Sequence, residues 1–110
     1  LVPPHAEIAS LAASLKRAGL AILVVTSRKE QWRWHTRTWL RKWEIEYDQL
    51  YMRPDADGRR DVDVKRDLLV HILKTYTVIL AVDDNPNVIA LWNEERIPTV
   101  TWPGWDEQSE

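Results

Sequence analysis

Two adjacent carboxylates, Asp83 and Asp84, follow a run of apolar residues in the segment VILAVDDNP at 78–86. An unbroken Val/Ile/Leu run is typical of a strand that is buried on both faces, as in a parallel sheet covered by helices. Asn85 and Pro86 then predict a helix start, with a capping residue followed by proline at the first helical position. Two like charges at the rim of a core repel each other, and a hard cation with oxygen ligands relieves that repulsion. The segment therefore predicts a magnesium site at a strand end.

Two further groups suit phosphate chemistry. Thr26, Ser27 and Arg28 follow the apolar run AILVV at 21–25. Lys65 stands at the head of an apolar stripe of helical spacing. Considered without the other groups, it is most simply a lysine whose aliphatic stem covers the edge of the core. A hydroxyl, an ammonium and a carboxylate pair are together the groups that a magnesium–phosphate site uses.

These residues are positioned by elements that alternate along the chain. Alternation of this kind predicts an α/β fold with a mostly parallel sheet and helices on both faces. Right-handed crossovers bring the carboxyl ends of parallel strands to one edge, so the three groups are expected to gather there. Helices are predicted at about 4–18, 30–43, 61–75 (capped by Asp61 or Asp63) and 86–95, and strands at 21–25, 48–53, 78–82 and 98–102.

Composition sets broad limits on the class of protein. The 110 residues suffice for one domain with a modest core, and the 45% apolar and 29% charged fractions are typical of soluble globular chains. There are no cysteines, which fits a reducing cytoplasm, and no apolar run reaches membrane-spanning length. The net charge of −2 does not single out a nucleic-acid binder.

The predicted second helix carries a basic stripe with two interpretations. Arg33, Arg37 and Arg41 recur at helical spacing, and Trp34 stands beside them. A solvated basic face is the simpler interpretation. The sharper one is a surface for phosphates and stacked bases.

The motifs VVTSR, DVDVKRDLL and LAVDDNP together resemble motifs two, three and four of the haloacid dehalogenase (HAD) superfamily. More narrowly, TSRKE, TRTWL, LYMRPDADGRRD, VKRDLL and AVDDNPNVIALW resemble the 3′-phosphatase domain of bacteriophage-type polynucleotide kinases. The likeness covers about residues 5–105. It implies a three-layer HAD-like (Rossmannoid) domain over residues 1–105, with 106–110 as a tail.

The resemblance also implies roles for individual residues. Thr26 would hydrogen-bond the transferring phosphoryl group, and Lys65 would neutralise it and hold the acidic nucleophile. Asp83 and Asp84 would hold Mg²⁺, directly or through water. Arg28 matches an arginine of the phage phosphatase site. Substrate contacts are expected from Ser27 (where those enzymes usually have glycine), Arg33, Arg37 and Asp61 (which matches an acidic residue just before the motif-three lysine).

One motif of the family is absent from the 110 residues. HAD phosphatases begin with a strand ending in DxDGT, which supplies the nucleophile and the general acid–base, and no DxD follows an apolar strand here. In the family that strand lies between those ending at Thr26 and Asp83. Without it, the sheet has a gap, is closed by direct pairing of these two strands, or is completed by another chain in a strand-completed or domain-swapped homo-oligomer.

Three hypotheses on function follow. The first is a Mg²⁺-dependent phosphohydrolase for a nucleic-acid 3′-phosphate or a nucleotide, inactive without its nucleophile segment. The second is a non-catalytic module that binds phosphate or nucleic acid on a HAD-like frame. The third treats Lys65 and either Asp83 or Asp84 as a structural ion pair, and it leaves residues 26–28 and the second carboxylate unexplained.

Overall fold

The structure is a computed structural model that describes residues 6–101 of the chain. Helix and strand alternate in the predicted order, so the α/β class is confirmed. None of the described helices is long and apolar enough to cross a bilayer. The elements are α1 (Ala6–Arg17), β1 (Leu23–Lys29), a short 3-10 helix (Glu30–Trp32), α2 (Arg33–Lys42), β2 (Gln49–Arg53), α3 (Asp61–Ile72), β3 (Ala81–Asp83), α4 (Pro86–Glu94) and β4 (Thr99–Thr101).

The chain divides between Asp57 and Gly58 into two compact units, and the first is built on the parallel pair β1 and β2. Residues 23–25 lie opposite residues 49–51. Parallel neighbours cannot be joined by a tight turn, so the connection runs through the 3-10 helix and α2. The core of this unit consists of Leu40, Ile45, Leu50 and Met52, with Ala9, Val24, Trp39, Trp43 and Tyr47 packed against it.

The second unit repeats this plan on a smaller scale. Strands β3 and β4 pair in parallel, with residues 81–83 opposite residues 99–101, and α4 forms the crossover. Its core is formed mainly by α4, which buries Val88 completely. The other buried members are Leu69, Leu91, Trp92 and Ile97, with Val62, Val78 and Ala81 against them.

The residues predicted to end the first helix and to begin the last one do so in the structure. Gly19 follows α1 with a φ of +93°, a left-handed conformation that glycine adopts without strain. The N–H of Leu20 donates to the carbonyl of Leu15 at 3.1 Å, which closes the helix end. At α4, the side chain of Asn85 accepts a hydrogen bond from the N–H of Asn87 at 3.0 Å, and Pro86 is the first helical residue.

Other boundaries differ from the prediction. Helix α3 ends at Ile72 rather than near 75, and the strand predicted at 78–82 is hydrogen-bonded only over Ala81–Asp83. Ile79 is 53% exposed, and the residues of β3 are only partly buried. The prediction of a strand buried on both faces is therefore wrong for the described residues, because a two-stranded sheet leaves its members close to solvent.

The strands pair within each unit. Among the described residues, β1 pairs with β2 and β3 pairs with β4. A gap in the sheet, direct pairing of the strands that end at Thr26 and Asp83, and completion by another chain all stay predictions.

Asp48 gives the first unit a pH-dependent contribution to stability. Its carboxylate accepts hydrogen bonds from Lys16 Nζ at 2.6 Å and from the Ile22 N–H at 2.7 Å, and these bonds lower its pKa below the ordinary 3.8, the lysine bond most. This stability is present above pH 3.8 and is lost as the pH falls through the lowered pKa. We expect Asp48→Asn to lower the melting temperature at pH 6 and to have no effect at strongly acidic pH.

The measurement is thermal unfolding of both proteins between pH 2 and pH 7. Glu46→Gln is the matched control, because Glu46 is exposed and has no ion-pair partner among the described residues. A gap between wild type and Asp48→Asn that stayed constant over the whole pH range would contradict the prediction.

Candidate active site

At the end of β3, the carboxylate of Asp83 accepts hydrogen bonds from four donors. Oδ1 accepts from the backbone N–H groups of Asp84 at 2.9 Å and Asn85 at 3.1 Å. Oδ2 accepts from Trp92 Nε1 at 3.3 Å and Lys65 Nζ at 3.4 Å. A carboxylate offers about four lone-pair positions, so the acceptor capacity of Asp83 is filled and its orientation is fixed.

Lys65 reaches this carboxylate from α3. It lies in the second turn of this helix, which begins at Asp61. Its side chain is 13% exposed, and that of Asp83 is 11% exposed. A charge as buried as this requires a partner, which Asp83 provides. An ammonium has three donor hydrogens, so two remain for an anion beside Asp83.

Asp84 differs sharply from its neighbour. Its side chain is exposed, and no donor of the described residues hydrogen-bonds its carboxylate. The described residues contain no group of three or more His, Cys, Asp or Glu that could by itself enclose a metal ion. Mg²⁺ nevertheless keeps several waters and binds through one or two carboxylates together with substrate phosphates. The donors fit a magnesium site of that open kind, with Asp84 as the free ligand.

In the first unit, Thr26, Ser27 and Arg28 lie inside β1, although the sequence predicts that the strand ends before them. Between the pairs Val25–Tyr51 and Lys29–Arg53, β1 advances by four residues and β2 by two. The three residues therefore form a bulge, a feature that redirects side chains and is common beside active sites.

The bulge arranges two donors. Thr26 Oγ1 accepts a hydrogen bond from the Arg28 N–H at 3.2 Å, which leaves the hydroxyl hydrogen free to donate. Arg28 Nε is buried and has no hydrogen-bond acceptor among the described residues. An unsatisfied buried donor is costly, and such groups occur where a ligand supplies the missing partner.

Arg53, which the sequence analysis missed, holds the bulge in place. It is 8% exposed. Its Nε donates to the Ser27 carbonyl at 2.7 Å, and its Nη1 donates to the Asp57 carbonyl at 3.0 Å. The available signal was an arginine that ends an apolar strand directly before a proline, where a solvated side chain is not expected.

The remaining predicted site residues occupy different settings. Arg33 is half-buried and forms a two-pronged pair with Glu30 at 2.7 and 2.8 Å, and it also donates to the Leu50 carbonyl at 3.2 Å. The hydrogen bond from Arg33 lowers the pKa of Glu30, and Glu30 in turn raises the pKa of Arg33. Arg37 is exposed on α2. Asp61 is the first residue of α3 and Arg60 is its N-cap, so the predicted capping by Asp61 or Asp63 is wrong.

Known proteins resemble the chain at the levels of sequence and fold. The family model described as the polynucleotide kinase PNKP phosphatase domain matches residues 3–102. A protein of Autographa californica nuclear polyhedrosis virus, named "Putative bifunctional polynucleotide kinase/RNA ligase", is 37% identical over 67 residues. That match covers 59% of this chain and 10% of the viral protein.

Two solved structures agree with the family match. A chain in the Pnkp1/Rnl/Hen1 complex superposes with a TM-score of 0.84 at 27% identity, covering 89% of this chain and 35% of that one. A chain in the Pnkp1/Rnl/Hen1 RNA repair complex gives 0.78 at 28% identity, covering 88% and 31%. The present chain thus spans about a tenth to a third of the length of these relatives. It belongs to the HAD-type polynucleotide kinase PNKP phosphatase domain family.

Proposed function

We propose that residues 1–105 form a HAD-like phosphatase domain that acts, with Mg²⁺, on the 3′-phosphate of a nucleic acid or nucleotide in the cytoplasm. The observation that carries the proposal is the difference between the two adjacent carboxylates, Asp83 and Asp84, at the end of β3. Asp83 is saturated by four donors and holds Lys65, whereas the Asp84 carboxylate beside it accepts no hydrogen bond within residues 6–101. A purely structural ion pair needs Lys65 and Asp83 but gives no role to Asp84.

In this proposal, each side chain binds or orients the phosphoryl group. The Thr26 hydroxyl and the Arg28 guanidinium donate to its oxygens, and the Lys65 ammonium neutralises its charge. Asp84 would hold Mg²⁺, and Asp83 would support the site through Lys65. Bound there, Mg²⁺ would offset the negative charge that develops on the phosphoryl oxygens. Ser27 and Asp61 would contact substrate at the rim.

The covalent step needs the nucleophilic aspartate of a DxDGT strand, a motif that these 110 residues do not contain. In the family's reaction, the aspartate attacks phosphorus and releases the 3′-hydroxyl, and water then cleaves the aspartyl-phosphate. We propose that a DxDGT strand encoded elsewhere in the reading frame, or carried by a second copy or a partner chain, completes the site. The 110 residues alone would then be inactive. Because the matched Pnkp1 structures contain Rnl and Hen1, a protein partner belongs to this proposal.

The test is phosphate release from a 3′-phosphorylated oligonucleotide, measured with and without Mg²⁺. The 110-residue chain is assayed beside the product of its full reading frame. We expect Mg²⁺-dependent release by the longer protein and none by the 110 residues alone. Oligonucleotide binding without release by either protein would overturn the enzyme proposal and favour a non-catalytic binding module on the same frame.

A further inference from the structure

The exposed face of α2 is unusual in its charge and in its aromatic content. The helix sequence, RWHTRTWLRK, contains four Lys or Arg residues and no carboxylate, in a chain whose net charge is −2. Trp34 is 71% exposed and Trp32, in the preceding 3-10 helix, is 45% exposed. A contiguous exposed apolar patch that polar groups surround marks a binding surface, and here both indoles contact the same ring, that of His35.

Trp34, Arg37 and Arg41 share one stripe of this face, since they are spaced by three and four residues. Arg37 and Arg41 also line an open cleft of about 440 Å³. The residues that line this cleft are Lys16, Arg37, Arg41, Ile45, Glu46 and Tyr47.

Among the described residues Arg37 and Arg41 have no counter-ion, unlike Arg59, which lies just before α3, and Arg66 within α3. Arg59 pairs with Asp67 at 2.6 Å, and Arg66 pairs with Glu94 at 3.4 Å. Within residues 6–101, no carboxylate forms an ion pair with Arg37 or Arg41. Their charges are therefore available to an anionic partner.

Trp34, the aromatic residue of the stripe, is oriented by a neighbouring ring but stays exposed to solvent. The His35 ring stands edge-on to Trp32 and to Trp34, with ring centroids 5.3 Å apart and interplanar angles of 70° and 89°. Such T-shaped contacts orient the Trp34 indole, while most of its surface faces water. An exposed, oriented indole is the kind of platform on which unpaired bases stack.

We propose that this α2 face binds single-stranded nucleic acid, with a base stacked on Trp34 and phosphates at Arg37 and Arg41. One helical turn separates the two arginines, so they can contact successive phosphates of a nucleic-acid strand that lies along the helix axis. The inference rests on the proposed function, because it makes the substrate a polynucleotide rather than a free nucleotide. Of the two arginines named earlier as substrate contacts, Arg37 takes this role, and Arg33 stays paired with Glu30.

The test is fluorescence anisotropy of a labelled oligothymidylate, without 3′-phosphate, titrated with the chain at several salt concentrations. The variant Arg37→Glu with Arg41→Glu is expected to weaken binding at least tenfold and to flatten the salt dependence, by about 0.7 in log–log slope per lost phosphate contact. Trp34→Ala is expected to weaken binding about tenfold with an unchanged salt slope, and Trp34→Phe is expected to restore most of it.

The control variant is Arg17→Glu with Lys74→Glu, which changes the net charge equally at exposed positions outside α2 that form no ion pair within the described residues. Equal weakening by this control, or unaltered binding by the α2 variants, would overturn the proposal. So would α2 variants that bind oligonucleotide normally but lose a protein partner, because the face would then be a protein-docking surface.

A second substrate separates this inference from the proposed function. The full-reading-frame Trp34→Ala and Arg41→Glu variants, which keep Arg37, should hydrolyse a nucleoside 3′-monophosphate at the wild-type rate and show a raised KM only for oligonucleotides. Wild-type protein that binds oligonucleotide but hydrolyses neither substrate would refute the phosphatase and leave the α2 surface standing. Normal hydrolysis of both substrates by the α2 variants would refute the α2 binding surface and leave the phosphatase standing.

Discussion

Replacing Asp84 by asparagine is expected to lower Mg²⁺-dependent phosphate release by the full-reading-frame protein at least ~100-fold, without lowering its melting temperature. The Asp84 carboxylate is exposed and accepts no hydrogen bond from the described residues, so the fold loses nothing when its charge is removed. The proposed metal site loses the only one of its two carboxylates that is free. The measurements are phosphate release over a range of Mg²⁺ concentrations and thermal unfolding of the same samples.

Asp83→Asn is the matched comparison, because it makes the same chemical change one residue earlier. An asparagine side chain has one acceptor oxygen where Asp83 serves four donors. Stranded donors near a core cost roughly 1–3 kcal/mol, so this variant is expected to lose stability as well as activity. If Asp84→Asn destabilised the protein as much as Asp83→Asn, the division of labour between the two residues would be wrong.

Replacing Arg28 by methionine is expected to lower kcat/KM about 100-fold, equivalent to roughly 3 kcal/mol of transition-state stabilisation. The melting temperature should not fall, because Arg28 Nε is buried without an acceptor and the change removes an unsatisfied donor. Loss of activity without loss of stability is the signature of a side chain kept for a ligand. The measurements are initial rates with a 3′-phosphorylated oligonucleotide and a thermal melt.

Arg53→Met provides the contrast for Arg28. Arg53 is as buried as a core residue, and it donates to the carbonyls of Ser27 and Asp57. Its removal leaves those carbonyls without this donor and releases the bulge, so both stability and activity should fall. If Arg53→Met were stable but inactive and Arg28→Met were unstable, the assignment would be wrong. Arg53 would then be the ligand-binding arginine, and Arg28 would be the one that stabilises the bulge.

The sequence predicted the class and order of the elements because each carries a local signal. The apolar periodicity of the helices, the glycine after α1 and the Asn-Pro start of α4 depend on neighbouring residues only. The proximity of Lys65 to Asp83 could likewise be expected, since one heads an apolar helical stripe and the other ends a strand. Their roles in catalysis remain a proposal.

The sequence could not show features that depend on pairing and packing. The bulge at Thr26–Arg28 arises from the register between β1 and β2, which are far apart in the chain. The saturation of Asp83 depends on Trp92, whose indole N–H reaches it from the next helix while the ring fills the core. The strand at 78–82 was predicted to be buried on both faces. An apolar run shows that burial of its side chains is favourable, but it does not show which elements would cover them.

The separate composition of the two hydrophobic cores has a consequence for how the chain folds. One core draws on residues between Ala9 and Met52, and the other on residues between Val62 and Ile97. Each core is assembled by closing loops shorter than half the chain, and loop-closure entropy grows with loop length. Contacts this local favour rapid formation, so either βαβ nucleus can begin to form during synthesis as soon as its own second strand has emerged.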